Sequence, residues 1–153
     1  MGAFLRDEKG VYRALPQDYA DMLGWDELTV IAAKAYRRVP DRASCFFYCE
    51  NYGQAGAITV LGKKAGLPEP VCFSESFFYW APRVLPVNIT SIIYINDTLG
   101  EDIRHLFRDI KIVGKISNPL AREYGTTVYL GTNPTNSFNA FYRKRIKEIT
   151  NPF

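Results

Sequence analysis

The chain has 153 residues, 47% hydrophobic and 23% charged, the size and balance of one folded globular domain that needs no disulfide or metal staple. Its 19 basic and 16 acidic residues leave a net charge of +3, too mild for a nucleic-acid binder. No run approaches the roughly 18 apolar residues of a membrane span, no apolar signal-peptide core is visible, and neither zinc-type pairs nor an RNA-binding aromatic signature occur.

In chain order, residues 1–16 read as a polar lead-in ending at Pro16, and Gln17 to Leu23 as one or two helical turns closed by Gly24. Trp25 to Arg38 is a helix: Trp25, Leu28, Ile31, Ala32 and Ala35 recur at helical spacing, and Pro40 stops it. Ala43 to Cys49 suits a buried strand, which Glu50-Asn51-Tyr52-Gly53 breaks. Gln54 to Ala65 reads as a helix ended by Gly66 and Pro68, and Glu69 to Phe73 as a second short strand. Ser74 to Pro86 is an irregular, aromatic-rich connection, and Thr90 to Asn96 is the clearest strand. Leu99 to Phe107 predicts a helix capped by Asp97 or Thr98. Ile110 to Ile116 alternates like a half-exposed strand, Asn118-Pro119 is a turn, and Thr126 to Leu130 is a fifth strand. Asn136 to Ile149 is a last helix, with Phe138, Phe141, Tyr142, Ile146 and Ile149 on its apolar face and Arg143, Lys144, Arg145 and Lys147 mainly on the others. This order predicts an α/β layered sandwich. Its central sheet is expected to be mostly parallel and Rossmann-like, with about five strands flanked by helices. The last strand is expected to be antiparallel, because the turn before it is short. No repeat or linker divides residues 15–150, which read as a single domain.

Four features are candidates for chemistry. The turn Glu50-Asn51-Tyr52-Gly53-Gln54 leads from a strand into a helix, whose free N–H groups suit a phosphate or carboxylate. It lacks the three spaced glycines of a dinucleotide site and a Walker lysine, so plain chain reversal is the competing reading. Glu50, Glu75 and Asp97 each stand at or just past the carboxyl end of a predicted strand. On parallel strands they would converge on the edge where open α/β sheets bind ligands, able to hold a divalent cation or sugar hydroxyls. Helix capping by Asp97 and solvation or pairing of the glutamates is the alternative. Phe77-Phe78-Tyr79-Trp80 offers rings to a glycan, a membrane interface or a partner, unless the loop folds back over the core. The basic last helix could touch anionic lipid or simply be solvated. His105, the sole histidine, makes a poor metal site alone, and no Ser-His-Asp or Cys-His set emerges. Asn88-Ile89-Thr90 and Asn96-Asp97-Thr98 match the short glycosylation acceptor pattern. Cys45 and Cys49 lie roughly 13 Å apart along one strand, too far to bridge. Cys72 could meet one of them if its strand is a neighbour, and three small buried apolar side chains is the plainer reading.

Four segments in order carry a family resemblance: Leu15-Pro16-Gln17-Asp18-Tyr19-Ala20-Asp21-Met22-Leu23-Gly24-Trp25; Asn51-Tyr52-Gly53-Gln54-Ala55-Gly56-Ala57; Leu67-Pro68-Glu69-Pro70-Val71 followed by Phe77-Phe78-Tyr79-Trp80; and Asn118-Pro119 followed by the Thr126 to Leu130 strand. Together they resemble the C-terminal soluble region of bacterial membrane glycosyltransferases of the dolichyl-phosphate-mannose–protein mannosyltransferase type, a superfamily that includes aminoarabinose transferases acting on lipid A. The resemblance runs from Leu15 to about Ile146. It implies an extracytoplasmic (periplasmic) domain beside the inner membrane, with residues 1–14 leading in from an upstream membrane segment. It also implies a parent that uses a polyprenyl-phosphate sugar donor, with a divalent cation as a further option, while this segment itself needs no cofactor. The catalytic acids of that family lie in loops that nothing here matches, so no catalytic residue carries over. The implied partners are the membrane-spanning part of the parent chain and a glycan or lipid-linked acceptor. A free-standing domain that binds a sugar or nucleotide is the alternative, and a small soluble enzyme a weaker third, opposed by the missing nucleophile and base.

Overall fold

The computed structural model describes residues 23–151, except the side chains of Glu75 and Ser76. The lead-in over 1–14, most of the predicted Gln17–Leu23 turns and most of the first resembling segment lie outside the described residues. The elements are α1 (Trp25–Arg38), β1 (Cys45–Cys49), α2 (Tyr52–Leu61), β2 (Ser91–Asn96), α3 (Glu101–Arg104), β3 (Phe107–Lys115), β4 (Thr127–Pro134) and α4 (Phe138–Thr150). Short 3-10 turns cover Arg42–Ser44, Gly62–Ala65 and Glu75–Trp80.

The helices begin and end for identifiable reasons. The first turn of α1 carries Asp26 and Glu27 and its last turn Arg37 and Arg38, matching the helix dipole at both ends. Gly24 precedes it at φ 91°, and a Cβ there would come within 3.0 Å of Ile116, so only glycine fits. A left-handed Gly66 closes the 3-10 turn after α2, with Leu67 N–H donating to the Gly62 carbonyl at 3.0 Å. Ser137 caps α4 by accepting from the Ala140 N–H at 3.2 Å.

The sheet has four strands in the order β1-β2-β4-β3. β1 and β2 are parallel, while β4 runs antiparallel to both β2 and β3. The expected five-stranded, mostly parallel, Rossmann-like sheet is therefore corrected to a mixed sheet with one parallel pair. Two physical causes account for the difference. β3 and β4 are joined across residues 116–126, too short for a helical crossover, so β4 folds back and slots between β2 and β3. The strand expected at Glu69 to Phe73 shrinks to one parallel bridge, Val71 to Tyr48, because Pro68 and Pro70 withhold N–H donors around it.

The helices cover both faces, giving three layers. On one face α1 and α2 pack Leu28, Ala32, Ala55 and Ile58 against Phe47, Cys49, Ile93, Ile95, Val128 and Leu130. On the other, α3 and α4 bring Ile103, Phe138, Tyr142 and Ile146 against Phe46, Tyr48, Ile92 and Tyr94. The strands thus alternate sides with period two, and the second face is the aromatic one. The Leu99–Phe107 helix is reduced to the single turn α3, begun at Gly100 and not capped by Asp97 or Thr98. Its C-terminal residues are taken by the sheet, where Phe107 already pairs with Pro134. Among the described residues no helix is long and apolar enough to cross a membrane.

Candidate functional site

A cavity of about 170 Å³ opens between the aromatic face of the sheet and α4. Its floor follows from strand register. Tyr48, Tyr94 and Tyr129 are cross-strand partners on β1, β2 and β4, forming a row across the sheet. The Tyr48 and Tyr94 rings stack at 5.4 Å, and Phe73 meets Tyr48 edge-on at 5.4 Å. Phe141 and Tyr142 of α4 and Ile103 of α3 form further walls. Tyr142 is locked by donating its hydroxyl to the Pro82 carbonyl, and burial pushes its pKa up to about 12.

Three charged side chains line this aromatic cavity: Glu50, Asp102 and Arg145. Glu50 follows the last residue of β1, and its backbone N–H donates to the Ile95 carbonyl of β2 at 3.0 Å. That bond fixes Glu50 at the shared carboxyl edge of the parallel pair. Its carboxylate accepts the Tyr94 hydroxyl at 2.9 Å. Burial first, and the Glu50 carboxylate second, hold the hydroxyls of Tyr48 and Tyr94 well above their ordinary pKa, so both are neutral donors at physiological pH. Arg145 projects from α4 with Glu148 at 3.6 Å. Aromatic walls with a few convergent polar groups are the general composition of a small-molecule site, although this cavity is smaller than the roughly 300–1,000 Å³ of drug-sized pockets. It suits a ligand the size of one ring or a short chain.

Of the expected site residues whose side chains are described, the structure brings Glu50 alone to the cavity. Asn51 and Gln54 satisfy each other instead. The Asn51 side chain accepts from the Gln54 N–H at 2.9 Å, and the Gln54 side chain accepts from the Asn51 N–H at 3.3 Å. This capping box occupies N–H groups that an anion would need. Gly53 faces α1, where a Cβ would sit 3.5 Å from the Trp25 ring, so the turn serves helix packing. Tyr52 is exposed and lies outside the cavity lining. Asp97 shares the edge with Glu50 but does not line the cavity, and its carbonyl is 3.5 Å from the Tyr129 hydroxyl. Glu75 opens the Glu75–Trp80 turn, and its side chain lies outside the described set. Among the described side chains, the acids that line the cavity are Glu50 and Asp102, not Glu50 and Asp97. Among the described residues no three His, Cys, Asp or Glu side chains gather to hold a metal.

The aromatic segment divides. Phe77 packs on the aliphatic core and Phe78 on the aromatic one, with Arg83 4.6 Å above the Phe78 ring. Tyr79 and Trp80 are 80% and 84% exposed. Trp80 and Phe77 also border a hollow of about 520 Å³ with Thr59, Glu69 and Val71. That hollow is larger than the tyrosine cavity, but among the described residues Glu69 is the one charged group that lines it. His105 follows α3 and lies 3.7 Å from Glu101. The three cysteines are free thiols, with Cys49 and Cys72 fully buried.

No family model, curated protein or solved structure matches this chain. The site is therefore read from geometry. Sequence reasoning missed Tyr48, Tyr94, Asp102 and Arg145. Tyr48 and Tyr94 had a usable signal: in strands buried on both faces, each shares its parity with a neighbouring aromatic or Ile and not with the cysteines. Asp102 and Arg145 had none, since only the docking of α3 and α4 places them at the sheet.

Proposed function

We propose that the chain is a small-ligand binding domain whose ligand sits over Tyr94, and that it serves as a non-catalytic accessory domain of a polyprenyl-phosphate-sugar-dependent membrane glycosyltransferase on the extracytoplasmic face. The observation that carries the binding half is the 170 Å³ cavity, where stacked tyrosines meet Glu50, Asp102 and Arg145. Ring faces with hydrogen-bonding groups at their edge suit a sugar ring or a ligand of like size. The accessory half is supported by the ordered resemblance of the four segments. In that setting the membrane-spanning part of the parent chain is the partner, and the domain helps hold an acceptor or shape the active-site mouth.

Two experiments test the two halves. In an NMR titration of the 153-residue chain with a panel of monosaccharides and short polyols, saturable shifts should centre on Tyr94, Ile103 and Phe141. Glu50→Ala should weaken them and Gly53→Ala should not; shifts centred on Asn51 to Gln54 would refute this site. For the parent, fractionated source cells are blotted with an antibody raised against the domain. A membrane-bound band several times heavier than 17.4 kDa supports the transferase setting, and a soluble band near 17.4 kDa refutes it.

A further inference from the structure

The cavity has a sign as well as a size. Both carboxylates on its rim act on Tyr94: Glu50 accepts the hydroxyl at 2.9 Å, and Asp102 lies close enough to disfavour ionisation of the phenol. The opposing cation, Arg145, already has Glu148 at 3.6 Å. Two carboxylates thus stand against one guanidinium on a wall of tyrosine and phenylalanine rings, and Glu148, outside the lining, answers part of that guanidinium's charge. Ring faces carry the negative end of the aromatic quadrupole, so wall and rim favour the same charge. A hard metal ion would require a set of converging oxygen ligands, and no group of three acids, cysteines or histidines gathers among the described residues. An alkylated nitrogen is different. Its carbons pack on rings, its charge is spread over them, and it sheds water at lower cost than a compact ion.

We propose that this cavity takes a small organic ammonium ion, its nitrogen-bearing end against Tyr48, Tyr94 and Phe73 and its charge answered by Glu50 and Asp102. This rests on the cavity being the binding site and adds the ligand's charge to that reading. Arg145 then works against the ligand, so the site is tuned below its maximal affinity for a cation.

The test titrates the 153-residue chain, followed by NMR, with choline and with 3,3-dimethylbutan-1-ol, its uncharged isostere. Choline is expected to shift the resonances around Tyr94 saturably, and the alcohol to bind about tenfold more weakly. Glu50→Gln and Asp102→Asn should each lower choline affinity about five- to tenfold, while Arg145→Ala should raise it about threefold. Both acids are exposed, so the variants should fold, and a thermal melt checks this. Equal binding of choline and the alcohol would overturn the charge assignment while leaving the cavity as the site. So would a neutral sugar that binds there while choline does not, or an Arg145→Ala variant that binds choline less well. Absence of saturable shifts with choline, the alcohol and the sugars alike would overturn the cavity reading and the charge assignment with it.

Discussion

Replacing Asn51 with Ala separates the two sites that the sequence offers. In the structure Asn51 is the cap of α2, bound through its side chain to the Gln54 N–H at 2.9 Å, with the Gln54 amide returning to the Asn51 N–H at 3.3 Å. Alanine removes the first bond outright and leaves one end N–H of a ten-residue helix without a protein acceptor. Loss of such a cap costs about 1 kcal/mol, within a range of roughly 0.5–2. For a chain of this length, that lowers the melting temperature by about 3 °C. Urea denaturation should show a lower midpoint with an unchanged slope, and Asn51→Ser should recover most of the loss because serine also caps. Ligand binding at Tyr94 should be untouched. The reasoning would be refuted by an Asn51→Ala variant of full stability that no longer binds ligand, since that result would make the helix end the binding site.

Three other outcomes are expected. Gly131→Ala should lower stability by about 1–3 kcal/mol in urea denaturation, because the new Cβ would lie 2.7 Å from Ile92 and 3.0 Å from the Phe107 ring in the middle of the sheet. Glu27 has a lowered pKa because the Ser117 hydroxyl and backbone N–H both donate to it, so its contribution is full above the ordinary glutamate value of 4.5 and fades as pH falls through the lowered native value. Glu27→Gln should therefore cost no more than about 1 kcal/mol at neutral pH, the pair being exposed, and melts below that range should show the gap closing. Burial raises the thiol pKa values of Cys49, Cys72 and Cys45, the last to about 12. Iodoacetamide at about pH 8 should consequently leave the native chain unmodified and label three thiols after urea unfolding, as read by intact mass.

What could be read from the sequence was what local pattern dictates. The Trp25–Arg38 helix emerged with the observed bounds, because a regular apolar stripe and a proline stop agree. The last helix and the strand at Thr90 to Asn96 emerged within two residues. The misses have one kind of cause, which is pairing at a distance. Leu99 to Phe107 carries helical spacing, yet Phe107 is worth more to the β3–β4 ladder than to another helical turn, and it is buried against Phe138. Strand direction is likewise invisible in a residue pattern, so the antiparallel insertion of β4 could not be read beyond the short turn before it. At the candidate site, Glu50 was legible because it sits one residue past a strand. Its partner Asp102 was not, since Asp97 fits the same rule and lies on the same edge.

The mixed topology also explains where the cavity lies. Only β1 and β2 are adjacent parallel strands, and Glu50 stands where their carboxyl ends lie side by side. A longer parallel sheet would have spread its acids along several strand ends. Here the antiparallel β4 closes that edge on the far side, and its Tyr129 extends the ring row begun by Tyr48 and Tyr94. α4 then approaches the aromatic face through Phe138, Tyr142 and Ile146, each buried, with Phe141 and Arg145 left beside the opening. The helix is therefore fixed by its packing residues, two of which, Phe138 and Tyr142, also wall the cavity at which Arg145 presents its charge. A substitution at Ile146, buried and outside the cavity lining, should lower stability before it alters binding. One at Arg145 or Glu50 should alter binding first, and that separation is what a site set on a packed scaffold requires.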